Sequence, residues 1–110
     1  MSGNGRKKKN SIGEPFVPIL KHMINHDSFK QLTNPARVAY MLLLAQKKSN
    51  TDKEVVFPYT HAEQWMNRHT FSRSIKQLIE LRFIERSSFG GLFRRTNQYR
   101  FVEGWRDVKK

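Results

Sequence analysis

Thr60-His61-Ala62-Glu63-Gln64-Trp65-Met66-Asn67-Arg68-His69-Thr70-Phe71-Ser72-Arg73-Ser74-Ile75-Lys76-Gln77-Leu78-Ile79-Glu80-Leu81 holds two short helical patterns with a brief interruption between them. Thr60 and Glu63 have capping-box spacing and open a helix over residues 61–66, with Ala62, Trp65 and Met66 facing inward. Asn67-Arg68-His69 reads as a tight turn. Thr70 reads as the cap of the next helix, whose inward stripe is Phe71, Ser74, Ile75 and Leu78, with Leu81 closing its end. The outward face is Ser72, Arg73, Lys76, Gln77 and Glu80. Two short helices joined by a tight turn, the second basic and polar outside, predict a helix-turn-helix.

Downstream, Phe83 to Phe89 reads as a strand, Gly90-Gly91 as a two-residue hairpin turn, and Leu92 to Val102 as the return strand. That turn would set Arg86 opposite Arg95 and Ser87 opposite Arg94. Like charges directly opposite are costly, and a bound phosphate or a narrow minor groove would relieve the cost. A longer loop would change this register. Upstream, Val55-Val56-Phe57 reads as a short strand stopped by Pro58. The strongest helix starts at Thr33 or Asn34, with Pro35 in its first turn and Ala36, Val38, Ala39, Leu42, Leu43 and Ala45 on it; Lys47 and Lys48 end it. Residues 49–54 are a polar loop. Ile19, Leu20, Met23 and Ile24 give a short helix over residues 18–25, and Phe29 and Leu32 a further helical turn. Trp105 is expected to seal the bottom of the core. The expected fold is mostly α with a small antiparallel β-sheet: a three-helix core plus a β-hairpin wing. Residues 1–13 read as a disordered basic arm, 14–106 as one domain, and 107–110 as a basic tail.

The charge points to a partner. The 110 residues carry 21 Lys and Arg against 9 Asp and Glu, a formal net charge of +12. Residues 1–10 hold +4, residues 11–65 only +1, residues 66–100 hold +6, and the last ten +1. Half the excess therefore lies in one segment, most of it on the predicted helix and hairpin. Such segregation suits a polyanionic partner. Cysteine is absent, which excludes disulfides, thiolate metal sites and a cysteine nucleophile. The longest apolar run, Ala39 to Ala45, is far too short to span a bilayer, and no signal peptide is readable. A cytoplasmic, nucleoid-associated protein with no membrane partner is expected.

The helix would enter the major groove of double-stranded DNA with its N-terminal residues near base edges. Its N-terminal dipole and free N–H groups suit phosphate. The candidate contacts from this helix and turn are Arg68, His69, Thr70, Ser72, Arg73, Lys76 and Gln77. The wing adds Arg86, Arg94 and Arg95, and Arg6, Lys7, Lys8 and Lys9 add a nonspecific arm.

From Phe16 to Trp105 the chain resembles a small winged-helix family of bacteria, bacteriophages and plasmids, and the winged-helix domains of replication initiators and phage regulators. The resemblance rests on Phe16-Val17, Leu32-Thr33-Asn34-Pro35-Ala36, Phe57-Pro58-Tyr59, Thr70-Phe71-Ser72-Arg73-Ser74-Ile75, Leu81-Arg82-Phe83-Ile84, Gly90-Gly91 and Asn97-Gln98-Tyr99-Arg100. It implies DNA binding in transcriptional or replication control on a mobile element, with Arg68, Thr70, Ser72, Arg73, Lys76 and Gln77 facing DNA. Arg82 departs from the pattern, which has Gly at the helix end. A weak homodimer, or a replication or transcription protein as partner, fits the same reading. RNA binding, or protein interaction on the same scaffold, remains open.

Catalysis, metal and cofactor are not expected. His22 and His26 stand four apart on a predicted helix, but nothing nearby completes a metal site. His61-Ala62-Glu63 lacks the order of a zincin motif, and no phosphate loop, dinucleotide fingerprint or nucleophile elbow occurs. Asp52 and Glu54 read as solvated acids. Trp65, assigned inward, is read as core rather than as a stacking surface for single-stranded nucleic acid. Phe89 and Phe93 lie near the wing tip.

Overall fold

Thr33 and Asn67 start the two longest helices. The structure, a computed structural model, describes residues 14–49, 51–88 and 97–108. The basic arm, Phe89, Gly90-Gly91, Phe93, Arg94, Arg95 and the last two lysines lie outside the described residues. Two short helices come first, α1 (Lys21–Ile24) and α2 (Asp27–Gln31). α3 follows over Asn34–Leu44, with Pro35 in its first turn. Its cap is Thr33, whose Oγ1 accepts from the Ala36 N–H at 3.3 Å. Arg37 ties α2 to α3: its guanidinium donates to the Phe29 and Lys30 carbonyls and to Asn34 Oδ1. The Phe29 carbonyl also accepts from the Leu32 N–H, so Arg37 adds donors at the end of α2.

α4 spans Arg68–Glu80. Its cap is Asn67, not Thr70: Asn67 Oδ1 accepts from the Thr70 N–H at 2.8 Å. Asn is at least as good a cap as Thr, and the choice lengthens the helix by a turn at its N-terminus. Arg68 and His69 are thus helical rather than parts of a loop. The predicted helix over 61–66 is replaced by a 3-10 turn, Tyr59–Ala62, capped by Pro58 without a side-chain hydrogen bond, so Thr60 and Glu63 form no capping box. Ala62 is buried and Met66 packs against the core, but Trp65 turns outward and is 56% exposed.

α4 ends in a Schellman motif. The Phe83 N–H donates to the Leu78 carbonyl (2.9 Å) and the Arg82 N–H to the Ile79 carbonyl (3.1 Å). Arg82 occupies the left-handed position with φ 66°. Its side chain also explains Gly104, where an added Cβ would lie 2.7 Å from Arg82 Cβ. Arg82→Gly is expected to raise stability by about 1 kcal/mol, read as a higher midpoint in urea, because glycine adopts this conformation without a Cβ penalty.

The sheet has three antiparallel strands: β1 (Glu54–Phe57), β2 (Ile84–Ser88) and β3 (Asn97–Phe101), in the order β1-β3-β2. Ile84 pairs with Phe101, Glu85 with Arg100 and Arg86 with Tyr99, and a bulge at Ser87 then sets Ser88 against Gln98. The register expected from a two-residue glycine turn is therefore wrong. Arg86 faces Tyr99, not Arg95. The pairing brings Ile84 and Tyr99 into the core, which a slip by one residue would undo.

The core lies between α3, α4 and the sheet. Ala36, Ala39, Leu43, Ile75, Leu78, Phe57 and Ile84 fill its middle. Phe83 is fully buried and touches Phe29, Tyr40 and Trp105, the last stacked at 5.9 Å and 7°. Trp105 sits on a second 3-10 turn, Gly104–Asp107, and seals the base as expected. Burial, with the Glu103 charge adding to it, pushes the Tyr40 hydroxyl up to about 12, so this core group stays neutral over the ordinary pH range. No helix among the described residues is long and apolar enough to cross a membrane.

Candidate nucleic-acid interface

At about 100° per residue, Arg68, His69, Ser72, Arg73, Lys76 and Glu80 fall within an arc of about 140° around α4. All six are exposed. The opposite side, Phe71, Ser74, Ile75 and Leu78, is buried against the core. Burying that stripe is what holds the cationic arc toward solvent. Ser74 fits the apolar side because its hydroxyl donates to the Thr70 carbonyl at 2.8 Å.

Three cations define the arc. The Arg68 guanidinium lies over the Tyr59 ring at 4.5 Å, which anchors the start of α4 on the preceding turn. Arg73 Nη2 lies 3.0 Å from His69 Nε2, one helical turn away. With Arg73 donating, that imidazole nitrogen is the acceptor. Lys76 follows on the next turn. Among the described residues, none of the three forms an ion pair with a carboxylate, whereas Arg100 is bound to Glu54 and Glu85, and Arg106 to Glu103. An arc of cations left facing water at a helix N-terminus attracts an anion.

The remaining expected contacts divide. Ser72 is exposed within the arc and Thr70 lies half-buried at its edge. Gln77 is withdrawn from the site. Its Oε1 accepts from the Thr33 N–H (2.9 Å) and Oγ1 (3.2 Å), and its Nε2 donates to the Gln31 carbonyl. It locks α4 to the start of α3. Gln77→Ala is expected to lower stability by about 1–2 kcal/mol, since the Thr33 N–H loses its acceptor, and to leave the nucleic-acid affinity of the folded protein unchanged. Urea unfolding and a duplex titration separate the two effects. In the sheet, Arg86 lies over the Tyr99 ring at 5.8 Å. Arg94, Arg95, Arg6, Lys7, Lys8 and Lys9 lie outside the described residues.

The residues considered for chemistry have structural partners. His26 caps α2: its Nδ1 accepts from the Ser28 N–H at 3.1 Å, which leaves Nε2 to donate to the Arg106 carbonyl. His22 packs against the His26 and Trp105 rings. The Asp52 carboxylate accepts from the Lys48 and Ser49 N–H groups, which hold it below the usual carboxylate range. Glu54 bonds Gln98 and Arg100. No group of three or more His, Cys, Asp or Glu among the described residues could hold a metal. Sequence reading missed two contributors to the exposed surface around α4. One is Trp65, assigned to the core; the other is Tyr59, half-buried against the core, with Arg68 over its ring.

Comparison with family models, with curated proteins and with solved structures finds no match for this chain.

Proposed function

We propose that the protein is a winged-helix domain that binds double-stranded DNA without catalysis. α4 enters the major groove, and Arg68, Arg73 and Lys76 grip phosphates or purine edges while Ser72 and His69 supply further polar contacts. The observation that carries this reading is the exposed cationic arc at the N-terminal half of α4, opposite its buried stripe and without an ion pair to a carboxylate among the described residues. The chain order supports it: helix, strand, helical turn, helix and two further strands, with the first strand pairing to the last. This is the order of a winged helix, in which the strand pair forms the wing beside the groove-reading helix. The 3-10 turn and Asn67 then stand where the first helix and turn of a helix-turn-helix would be. The formal charge of +12 supplies the long-range attraction. The biological role that fits is control of transcription or replication on a phage, plasmid or other mobile element, in the cytoplasm at the nucleoid.

The test is a fluorescence-anisotropy titration of duplex DNA beside duplex RNA of the same sequence. Tighter binding of DNA, weakened steeply by salt, supports the reading, because A-form RNA has a major groove too narrow for α4. Tighter binding of RNA, or binding of neither at low salt, contradicts it.

A further inference from the structure

We propose that Trp65 and Arg68 form a stacking platform for an unpaired nucleobase, so that the preferred ligand is a DNA duplex with a single-stranded flank. The proposal rests on the duplex-binding reading above and names its ligand more closely. The two tryptophans differ sharply: Trp105 is 3% exposed and built into the core, whereas Trp65 is 56% exposed. Among the described residues no other ring packs on the Trp65 indole, although aromatic pairs run through the core beside it. Trp65 stands two residues before Asn67, the cap of α4, and so three residues along the chain from Arg68, the first cation of the arc. Arg68 supplies a second flat surface there, its guanidinium held over Tyr59 at 4.5 Å. His61, four residues before Trp65, is engaged elsewhere, its ring edge-on to Phe57 at 5.6 Å.

An exposed indole gains most when its face is covered. An intact duplex offers base edges and phosphates but no base faces, since these are stacked on each other. An unpaired base offers its face, and stacking tolerates any base. The flanking cations select a polyanion over an apolar protein surface. A strand leaving the duplex held by Arg73 and Lys76 would therefore pass over Trp65 and Arg68.

The test compares a blunt DNA duplex with the same duplex carrying a short thymidine flank, read by anisotropy and by tryptophan emission. The flanked duplex is expected to bind about tenfold tighter and to quench Trp65, with Trp105 as a constant background. Trp65→Ala is expected to bind both duplexes equally, at the wild-type affinity for the blunt one. Trp105 emission in that variant reports that the fold is intact. Equal wild-type binding of the two duplexes with unquenched emission would overturn the platform while leaving the duplex reading in place. So would a flank preference that survives Trp65→Ala. Absence of salt-dependent binding to the blunt duplex would instead overturn the duplex reading, and the platform with it.

Discussion

Arg73→Ala/Lys76→Ala is expected to weaken duplex DNA binding by roughly ten- to a hundredfold at moderate salt and to reduce the slope of log K against log salt by about two. Each cation that neutralises a phosphate releases condensed counterions, so its removal costs affinity and also flattens the salt response. Both side chains are exposed on α4 and neither forms an ion pair among the described residues. Truncation therefore leaves the core untouched, and the unfolding midpoint should stay within experimental scatter. The Arg73 contact with His69 is lost, a small local effect on an exposed helix face. The combination of lost affinity, lower slope and unchanged stability is specific. A loss of affinity with unchanged slope would mean that the two residues do not touch phosphates. Unchanged affinity would move the interface off α4.

Phe83→Ala is expected to destabilise the protein by about 3–5 kcal/mol, a large part of the stability of a domain this size. Phe83 is fully buried, directly after the left-handed Arg82. Its ring joins three parts of the chain: Phe29 from α2, Tyr40 from α3 and Trp105 from the C-terminal turn. Few other atoms could close the resulting cavity, because the Phe83 N–H is fixed to Leu78 and the Arg82 carbonyl accepts from the Trp105 N–H. The cavity term should therefore add fully to the lost transfer free energy. Urea unfolding followed by Trp105 emission measures it. A loss below about 1 kcal/mol would show that the base of the core repacks freely.

Much of the local structure is legible in the sequence where one residue type has one physical use. Thr33 with Pro35 marks the start of α3, and Phe71, Ser74, Ile75 and Leu78 mark the buried stripe of α4 by period alone. Trp105 reads as core, and it is buried at the base. Local rules fail where two residues could serve one role or where a distant segment intervenes. Asn67 and Thr70 are both good caps, and the chain uses the earlier one. Thr60 and Glu63 have the spacing of a capping box, but the stretch between Pro58 and Asn67 forms only a short 3-10 turn. Trp65 then falls outside the inward side that a regular helix would have given it. Gln77 belongs by periodicity to the outer face, yet backbone groups more than forty residues away capture its amide. The glycine pair suggested a register four residues away from the one formed; a shift of four leaves every side chain on its own face, so the in-out pattern of the strands does not tell the two apart. Arg82 was legible as a misfit to the glycine pattern, and its φ of 66° is the strain that the misfit implied.

The most direct test of the central claim is a backbone amide NMR titration of the full chain with a DNA duplex at low salt. The account predicts that shifts concentrate on α4 from Arg68 to Lys76 and on its cap Asn67, with Gln77 and the base around Trp105 little changed. Shifts centred on α1 and the Gly104–Asp107 turn, or none at all, would contradict it.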